Sequence, residues 1–154
     1  MRRSAASTFR AAALAALPVL AFAAAAAAAG APVFLSALSD KPLDFKYRTS
    51  QILTPEVESF HATGANPYVG DAAAIADGAK VYKKFCQSCH LPDGTGRIGP
   101  DLTDDTWKYA RTNTEVGRFE IIYGGGAGAM QAFGRRMDQD DILKVMAFID
   151  TLAK

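Results

Sequence analysis

Two cysteines separated by two residues and followed directly by a histidine constrain the fold of this chain more than any other feature. They are Cys86, Cys89 and His90, in the stretch CQSCH. Each thiol can add across one vinyl group of a porphyrin, and the two-residue gap lets both sulfur atoms reach the same ring. The histidine then lies beneath the iron and supplies a nitrogen ligand. The motif therefore predicts one covalently bound haem c, attached at Cys86 and Cys89 and ligated by His90.

Other uses of paired cysteines fit the chain less well. A structural zinc site would need further cysteine or histidine ligands, and the only other histidine is His61. A thioredoxin-like redox pair lies within an α/β pattern, which is absent around Cys86. A structural disulfide would leave His90 without a role. We expect His61 to be a solvated loop residue rather than a second iron ligand.

Residues 1–29 have the order of a secretory signal peptide. Arg2, Arg3 and Arg10 form a basic start, and a run of alanine and leucine follows that ends in small residues. An uncleaved membrane anchor is the alternative, but the run is mostly alanine and contains Pro18. We predict cleavage near Ala29 and export to the periplasm, where covalent haem attachment takes place. We expect no membrane span after cleavage.

The charge balance gives no support to a nucleic-acid-binding role. The chain has 17 lysine and arginine residues and 16 aspartate and glutamate residues. Loss of residues 1–29 would remove three arginines and leave a small acidic excess. The basic residues do not form a stripe of the kind that binds a phosphate backbone. We expect a monomer with one haem domain.

Residues 30–70 predict an irregular N-terminal extension. Prolines break up this segment, so we expect at most one short helix, near residues 55–62. The segment nevertheless carries too many apolar side chains for a free linker, and we expect it to pack against the haem domain. These side chains are Phe34, Leu35, Leu43, Phe45, Tyr47, Ile52, Leu53 and Phe60.

Residues 71–154 predict an all-α domain with three main helices around the haem. The first helix begins after Asp71 and carries Gly78, Tyr82 and Cys86 at four-residue steps along one side. Glycine inside a helix costs about 1 kcal/mol relative to alanine, and a close crossing by another helix would explain its presence.

The other two main helices are bounded by polar starts and glycine. One begins within residues 112–115 and ends at the glycines of residues 124–126. The last begins at Asp138. Its apolar stripe is the expected partner of the Gly78 face and consists of Ile142, Val145, Met146, Ile149 and Leu152.

The second axial ligand decides between electron transfer and ligand chemistry. A methionine sulfur opposite histidine stabilises ferrous iron and raises the reduction potential. Met146 lies on the apolar face of a helix, where packing explains it, and Met137 directly precedes a helix cap. Met130 follows GGGAGA, a loop able to bring sulfur to iron. We predict Met130 as the ligand, with Met137 as the alternative.

Residues 97–109 supply candidates for supporting contacts. The carbonyl oxygen of Pro100 could accept the free ring N–H of His90 and fix its tautomer. Arg97, Trp107, Lys108 and Tyr109 are candidate donors to the haem propionates. Each of these side chains could equally be ordinary surface or core.

These features resemble the class I cytochromes c, through CQSCH at 86–90, IGPDL at 98–102 and Met130. Longer stretches resemble cytochrome c-L: GTGRIGPDLTDDTWKY at 94–109, FEIIYGGGAGAM at 119–130 and DDILKVMAFIDTL at 140–152. The resemblance implies a class I cytochrome c fold and one-electron transfer rather than an enzymatic reaction. It implies a quinoprotein methanol dehydrogenase, with its pyrroloquinoline quinone, as donor, and a downstream c-type cytochrome or an oxidase as acceptor.

Two alternative functions remain. One is a general soluble cytochrome c that serves another dehydrogenase or a terminal oxidase. The other is a haem enzyme or gas sensor whose sixth iron position is open. Sulfur ligation of the iron would exclude the second.

Overall fold

The computed structural model describes residues 30–45, 51 and 53–153. The predicted signal peptide, residues 1–29, lies outside the described residues. Among the residues that are described, no helix is both long and apolar enough to cross a bilayer.

The described part of the chain folds into five α-helices and a 3₁₀ turn at Ala110–Asn113. Its strand-like pairing is a single bridge between Leu35 and Pro42. The all-α prediction is therefore confirmed. The helices are α1 Pro55–Thr63, α2 Ala72–Phe85, α3 Gln87–His90, α4 Glu115–Gly124 and α5 Gln139–Asp150. The three predicted helices correspond to α2, α4 and α5, and the short α3 carries the end of the cysteine–histidine motif.

The helices begin at residues that cap them. The Asp71 carboxylate accepts hydrogen bonds from the backbone N–H groups of Ala73 and Ala74 at the start of α2. The Thr114 hydroxyl accepts from Gly117 N–H in α4. Asp138 stands at the N-cap of α5 as predicted, but its side chain makes no capping hydrogen bond. The Asp71 and Thr114 side chains thus satisfy N–H groups that have no partner within the helix.

Helices α2 and α5 cross closely at Gly78. A Cβ atom at this position would lie 2.1 Å from the carbonyl oxygen of Lys144, so only glycine fits the crossing. One turn further along α2, the Tyr82 ring packs 5.2 Å from the Phe148 ring, measured between centroids. The predicted contact between the Gly78 face and the last helix is confirmed, and it forms one wall of the haem domain.

The segment before α2 packs on α4 through aromatic rings. Phe34 lies 5.6 Å from Phe119, and Phe45 lies 5.3 Å from Tyr123, measured between ring centroids. Phe60 of α1 joins the same cluster at 5.1 Å from Phe119. The segment before α2 therefore contributes side chains to the hydrophobic core.

His61 differs from the sequence expectation. It lies within α1 and is half-buried, so the prediction of a solvated loop residue was wrong. Its Nε2 atom is 2.7 Å from Oε1 of Gln139, and its ring stacks on Phe45. His61 is therefore part of the contact between α1 and the rest of the molecule.

Candidate haem site

His90 is held in a fixed orientation by the loop that follows it. The residue is 7% exposed, and its Nδ1 atom lies 2.9 Å from the carbonyl oxygen of Pro100. A carbonyl can only accept, so Nδ1 carries the proton and Nε2 keeps its lone pair for a metal. A Cβ atom on Gly99 would come within 2.5 Å of the ring, so glycine is required where the loop passes the imidazole.

Backbone hydrogen bonds close the loop around the cysteine–histidine motif. The carbonyl oxygen of Cys89 accepts from the N–H groups of Arg97 and Gly99, at 3.1 and 3.0 Å. The Tyr82 hydroxyl donates to the carbonyl oxygen of Leu91 at 2.8 Å. Burial raises the pKa of Tyr82 to about 12, so this hydroxyl stays a donor at neutral pH. The motif is thus fixed to α2 on one side and to residues 97–99 on the other.

The two cysteines lie on the same cavity as His90. The structure contains a cavity of about 420 Å³ lined by Cys86, Cys89, His90 and Met130. This volume is within the range of cofactor sites. Burial, with Cys89 nearby, raises the pKa of the Cys86 thiol to about 12, so the thiol is neutral. The apolar part of the wall includes Phe85, Leu102, Ile121, Ile122, Phe133 and Ile149.

The three candidate methionines occupy different places. Met130 lies on the cavity in the loop after α4, and its carbonyl oxygen accepts from Gly126 N–H at 3.0 Å. Met137 is 2% exposed in the hydrophobic core and does not line the cavity. Met146 lines the cavity, but from α5 and with 2% exposure. Met130 is the methionine that combines cavity contact with a loop position.

Comparison with known proteins identifies the family. The structure of cytochrome c-L from Hyphomicrobium denitrificans is 34% identical, with a TM-score of 0.76, over 80% of this chain and 75% of that one. Cytochrome c-L from Methylophaga aminisulfidivorans is 32% identical, with a TM-score of 0.77, over 79% and 81% of the two chains. The chain belongs to the cytochrome c-L family. The class I cytochrome c fold predicted from the sequence is therefore confirmed.

Two further matches refine this relationship. A family model described as cytochrome c oxidase, cbb3-type, subunit III, matches residues 73–149, the helical haem domain. Cytochrome c-L of Methylorubrum extorquens is 34% identical over 96 residues, which are 62% of this chain and 49% of that protein. The match thus spans about half the length of this curated cytochrome c-L. The cofactor shared by these cytochromes is covalently bound haem c.

The cavity residues of the chain described here fit such a haem. Two thiols, an imidazole with a free Nε2 and a thioether lie on one largely apolar cavity. A charged residue is also present, since Arg118 lines the cavity and its side chain is 21% exposed. An anionic macrocycle with an apolar face matches a wall of this composition.

The structure separates the predicted propionate donors into two groups. Trp107, Lys108 and Tyr109 line the cavity. Arg97 does not line it: its guanidinium is exposed and donates to the carbonyl oxygen of Ser88 at 3.1 Å. The Tyr109 hydroxyl accepts from Ala127 N–H at 2.8 Å, which joins residue 109 to the loop that carries Met130.

Sequence reasoning did not assign several polar residues of the cavity wall to the site. They are Thr112, Arg118, Gln131 and Arg136. Helical spacing could have identified Arg118, because it lies three and four residues before Ile121 and Ile122 and so shares their face of α4. For Arg136 no comparable signal exists, since it lies in an irregular loop.

Proposed function

We propose that this protein is a periplasmic mono-haem cytochrome that carries single electrons. The observation that supports this most strongly is the convergence of Cys86, Cys89, His90 and Met130 on one apolar cavity. Haem c supplies a one-electron iron couple when it is bound, and the protein provides attachment, orientation and tuning. This proposal includes no enzymatic reaction.

Each of the four residues has a separate role in this proposal. Cys86 and Cys89 would hold the haem through thioether bonds, and His90 would bind its iron through Nε2. The Pro100 carbonyl holds the His90 ring in the required tautomer. Met130 would supply a second, sulfur ligand to the iron and, because a thioether favours ferrous iron, a higher reduction potential.

The proposed electron donor is a quinoprotein methanol dehydrogenase, and the acceptor is a downstream c-type cytochrome or an oxidase. The similarity to cytochromes c-L over most of the described chain supports this choice. Exposed basic residues at the cavity, Lys84, Lys108 and Arg136, would affect the rate of encounter with an acidic partner more than the affinity. We propose that the protein acts as a monomer.

Replacement of Met130 by alanine tests the iron ligation. We expect the variant to keep covalent haem but to lose the weak long-wavelength absorption of sulfur-ligated ferric haem, and to bind carbon monoxide. Met137→Leu is the matched control, because Met137 is buried outside the cavity, and it should keep the absorption. Persistence of the band in Met130→Ala would contradict the assignment, and its loss in Met146→Leu would transfer the role to Met146.

The electron donor is tested by reduction kinetics. Oxidised protein is mixed with purified quinoprotein methanol dehydrogenase and methanol, and the absorbance change of haem reduction is followed. Other quinoprotein dehydrogenases with their own substrates serve as controls. Reduction that is saturable and faster with the methanol enzyme supports the proposed partner, whereas equal rates with all donors favour a general cytochrome.

A further inference from the structure

Gln51 of the N-terminal extension bonds to two backbone carbonyls of the loop that carries Met130. Its Nε2 atom donates to the carbonyl oxygen of Gly134 and to that of Met137, each at 3.3 Å. These carbonyls lie four and seven residues after Met130, in the stretch between α4 and α5. One side-chain amide therefore joins the N-terminal extension to the loop that lines the haem cavity.

The hydrogen bonds behind Gln51 fix which atom of each side chain donates. Nε2 of Gln139 donates to Oε1 of Gln51 at 2.9 Å. Oε1 of Gln139 can therefore only accept, and it lies 2.7 Å from Nε2 of His61, which must carry the proton. Donation runs in one direction, from His61 through Gln139 to Gln51 and then to the loop. Hydrogen bonds aligned in this way strengthen one another in the protein interior.

His61 and Gln139 are both placed by helices. Gln139 is 2% exposed at the start of α5. His61 lies in α1, and its ring stacks on Phe45 with 4.9 Å between centroids. The stretch between residues 125 and 138 lies outside the helices. The two glutamines thus connect an irregular loop to side chains whose positions are set by regular structure.

The same part of the loop is held by α4 from another side. The N–H group of Gly134 donates to the carbonyl oxygen of Tyr123 at 3.0 Å, while its own carbonyl accepts from Gln51. A Cβ atom on Gly134 would lie 2.7 Å from the Tyr123 ring, so the loop passes directly over this side chain. Displacement of the loop at Gly134 therefore disturbs contacts with both α4 and the N-terminal extension.

We propose that Gln51 is a positioning residue for the sulfur of Met130, and that Gln139 acts on the loop through Gln51. The proposal rests on the haem ligation proposed above. An external ligand reaches the sixth iron position only when Met130 has moved aside, so its apparent affinity is reduced to the fraction of molecules in which the loop is displaced. The N-terminal extension thereby restricts small ligands at the iron and favours electron transfer.

Imidazole binding to the ferric holoprotein measures this restriction. Imidazole replaces the thioether at the iron, and the loss of the long-wavelength sulfur absorption follows the replacement. Gln51→Met removes both donors to the loop and should tighten imidazole binding by about tenfold, the effect of two neutral hydrogen bonds at the lower end of their usual strength. Gln139→Met leaves these donors in place but removes the partner of Gln51 Oε1, and should tighten binding by about threefold.

The double variant Gln51→Met/Gln139→Met separates one connected path from two independent contacts. Because Gln139 acts through Gln51, the double variant should bind imidazole no more tightly than Gln51→Met. Independent effects would instead multiply to about thirtyfold. Arg111→Met is the matched control, since Arg111 bonds to Glu120 and to the Val33 carbonyl rather than to the loop. It should keep the wild-type imidazole affinity although it loosens the N-terminal extension.

Four outcomes decide the proposal. A wild-type imidazole affinity in Gln51→Met, multiplied effects in the double variant, or an equal gain in Arg111→Met would each overturn it. If Gln51→Met does not accumulate as holoprotein, Gln51→Glu replaces it: this variant keeps an acceptor for Gln139 but sets a carboxylate oxygen against the Gly134 and Met137 carbonyls, and a wild-type affinity would again overturn the proposal. Absence of the sulfur absorption from wild type would instead refute the proposed ligation, so the two failures are distinguishable.

Discussion

Two packing contacts hold the described helices and the N-terminal arm together, and they differ in the groups that form them. The first is the helix crossing of α2 with α5, where backbone meets backbone at Gly78 and the ring of Tyr82 packs on Phe148. The second is the arm contact, in which residues 30–45, 51 and 53–70 pack on α4 and α5. The arm contact combines the aromatic cluster with buried polar groups, of which Glu120 is 1% exposed.

The polar groups of the arm contact form a chain of hydrogen bonds from α4 to the arm. Arg111 and Glu120 make an ion pair, with Nε of Arg111 at 2.8 Å from Oε2. Oε1 of the same carboxylate accepts from Leu35 N–H at 2.7 Å, and Nη2 of Arg111 donates to the Val33 carbonyl. Apolar packing alone tolerates many arrangements, whereas buried donors and acceptors must be paired. The helix crossing therefore depends on the absence of a side chain at Gly78. The arm contact depends instead on the pairing of its buried hydrogen-bond donors and acceptors.

Gly78→Val should give the largest effect, because it breaks the helix crossing. The new Cβ would lie 2.1 Å from the Lys144 carbonyl oxygen, which is a backbone atom and cannot rotate away. We expect the free energy of unfolding to fall by more than about 3 kcal/mol, as measured by denaturant titration followed by circular dichroism. Gly30→Val is the control, since a Cβ there meets nothing within 4 Å. Equal stability of the two variants would show that the helices can separate without penalty.

Arg111→Met should give the next largest effect, because it leaves the Glu120 carboxylate buried without its cation. Breaking a buried ion pair from one side costs about 3–5 kcal/mol, and we expect the lower end because Arg111 is 45% exposed. Glu120→Gln is the matched variant: it leaves the half-exposed Arg111 in solvent and keeps an acceptor for Leu35 N–H. We expect it to cost about 1 kcal/mol.

The same pair of variants tests whether the arm contact is independent of the haem site. Neither Arg111 nor Glu120 lines the cavity, so both variants should retain the wild-type reduction potential while their unfolding free energies differ. Equal destabilisation by the two substitutions would contradict the expectation that Arg111→Met costs more than Glu120→Gln. A shifted potential in either would show that the arm contact influences the cofactor site.

The helix crossing and the core of the haem motif could be predicted from sequence because their signals are local. The cysteine–histidine spacing, the Asp71 cap and the four-residue steps through Gly78 and Tyr82 each lie within a few turns of chain. The position of Pro100 relative to His90 was accessible for the same reason, since only a short loop separates them. The hydrogen bond between Nδ1 of His90 and the Pro100 carbonyl is present in the structure.

The apolar side chains of the arm predicted that it packs on the haem domain, but its hydrogen-bond partners could not be predicted because they are distant in sequence. Leu35 bonds to Glu120 across 85 residues, and His61 meets Gln139 across 78. The periodicity of apolar residues in the sequence does not indicate such distant pairs. From the sequence alone, Glu120 is expected to be an ordinary surface residue of a helix. Arg118 was missed for a related reason: the candidate donors lie in the loop after His90, whereas Arg118 lines the cavity from α4.

Asp140→Asn should give the smallest effect and tests the pairing rule at a second point of the arm contact. Oδ1 of Asp140 accepts from the hydroxyls of Thr54 and Tyr68, at 3.0 and 2.6 Å, and Oδ2 is 2.8 Å from Nζ of Lys144. Burial alone would raise the pKa of Asp140, but these hydrogen bonds outweigh it and lower the pKa below its ordinary value. Asparagine keeps an acceptor for the hydroxyls, so we expect a loss of about 1 kcal/mol at neutral pH.

The pH dependence of this loss follows from the direction of the shift. A carboxyl whose folded pKa is lowered stabilises the fold above the ordinary pKa of 3.8, and this contribution disappears as the pH falls through the folded value. The neighbouring Asp141 is the matched control with the opposite sign, since burial raises its pKa. Asp141→Asn should therefore stabilise the protein at neutral pH, with the gain vanishing in acid. Denaturant titrations between neutral pH and the carboxyl range measure both variants, and parallel pH profiles for the two substitutions would show that Asp140 is not held by the pairing described here.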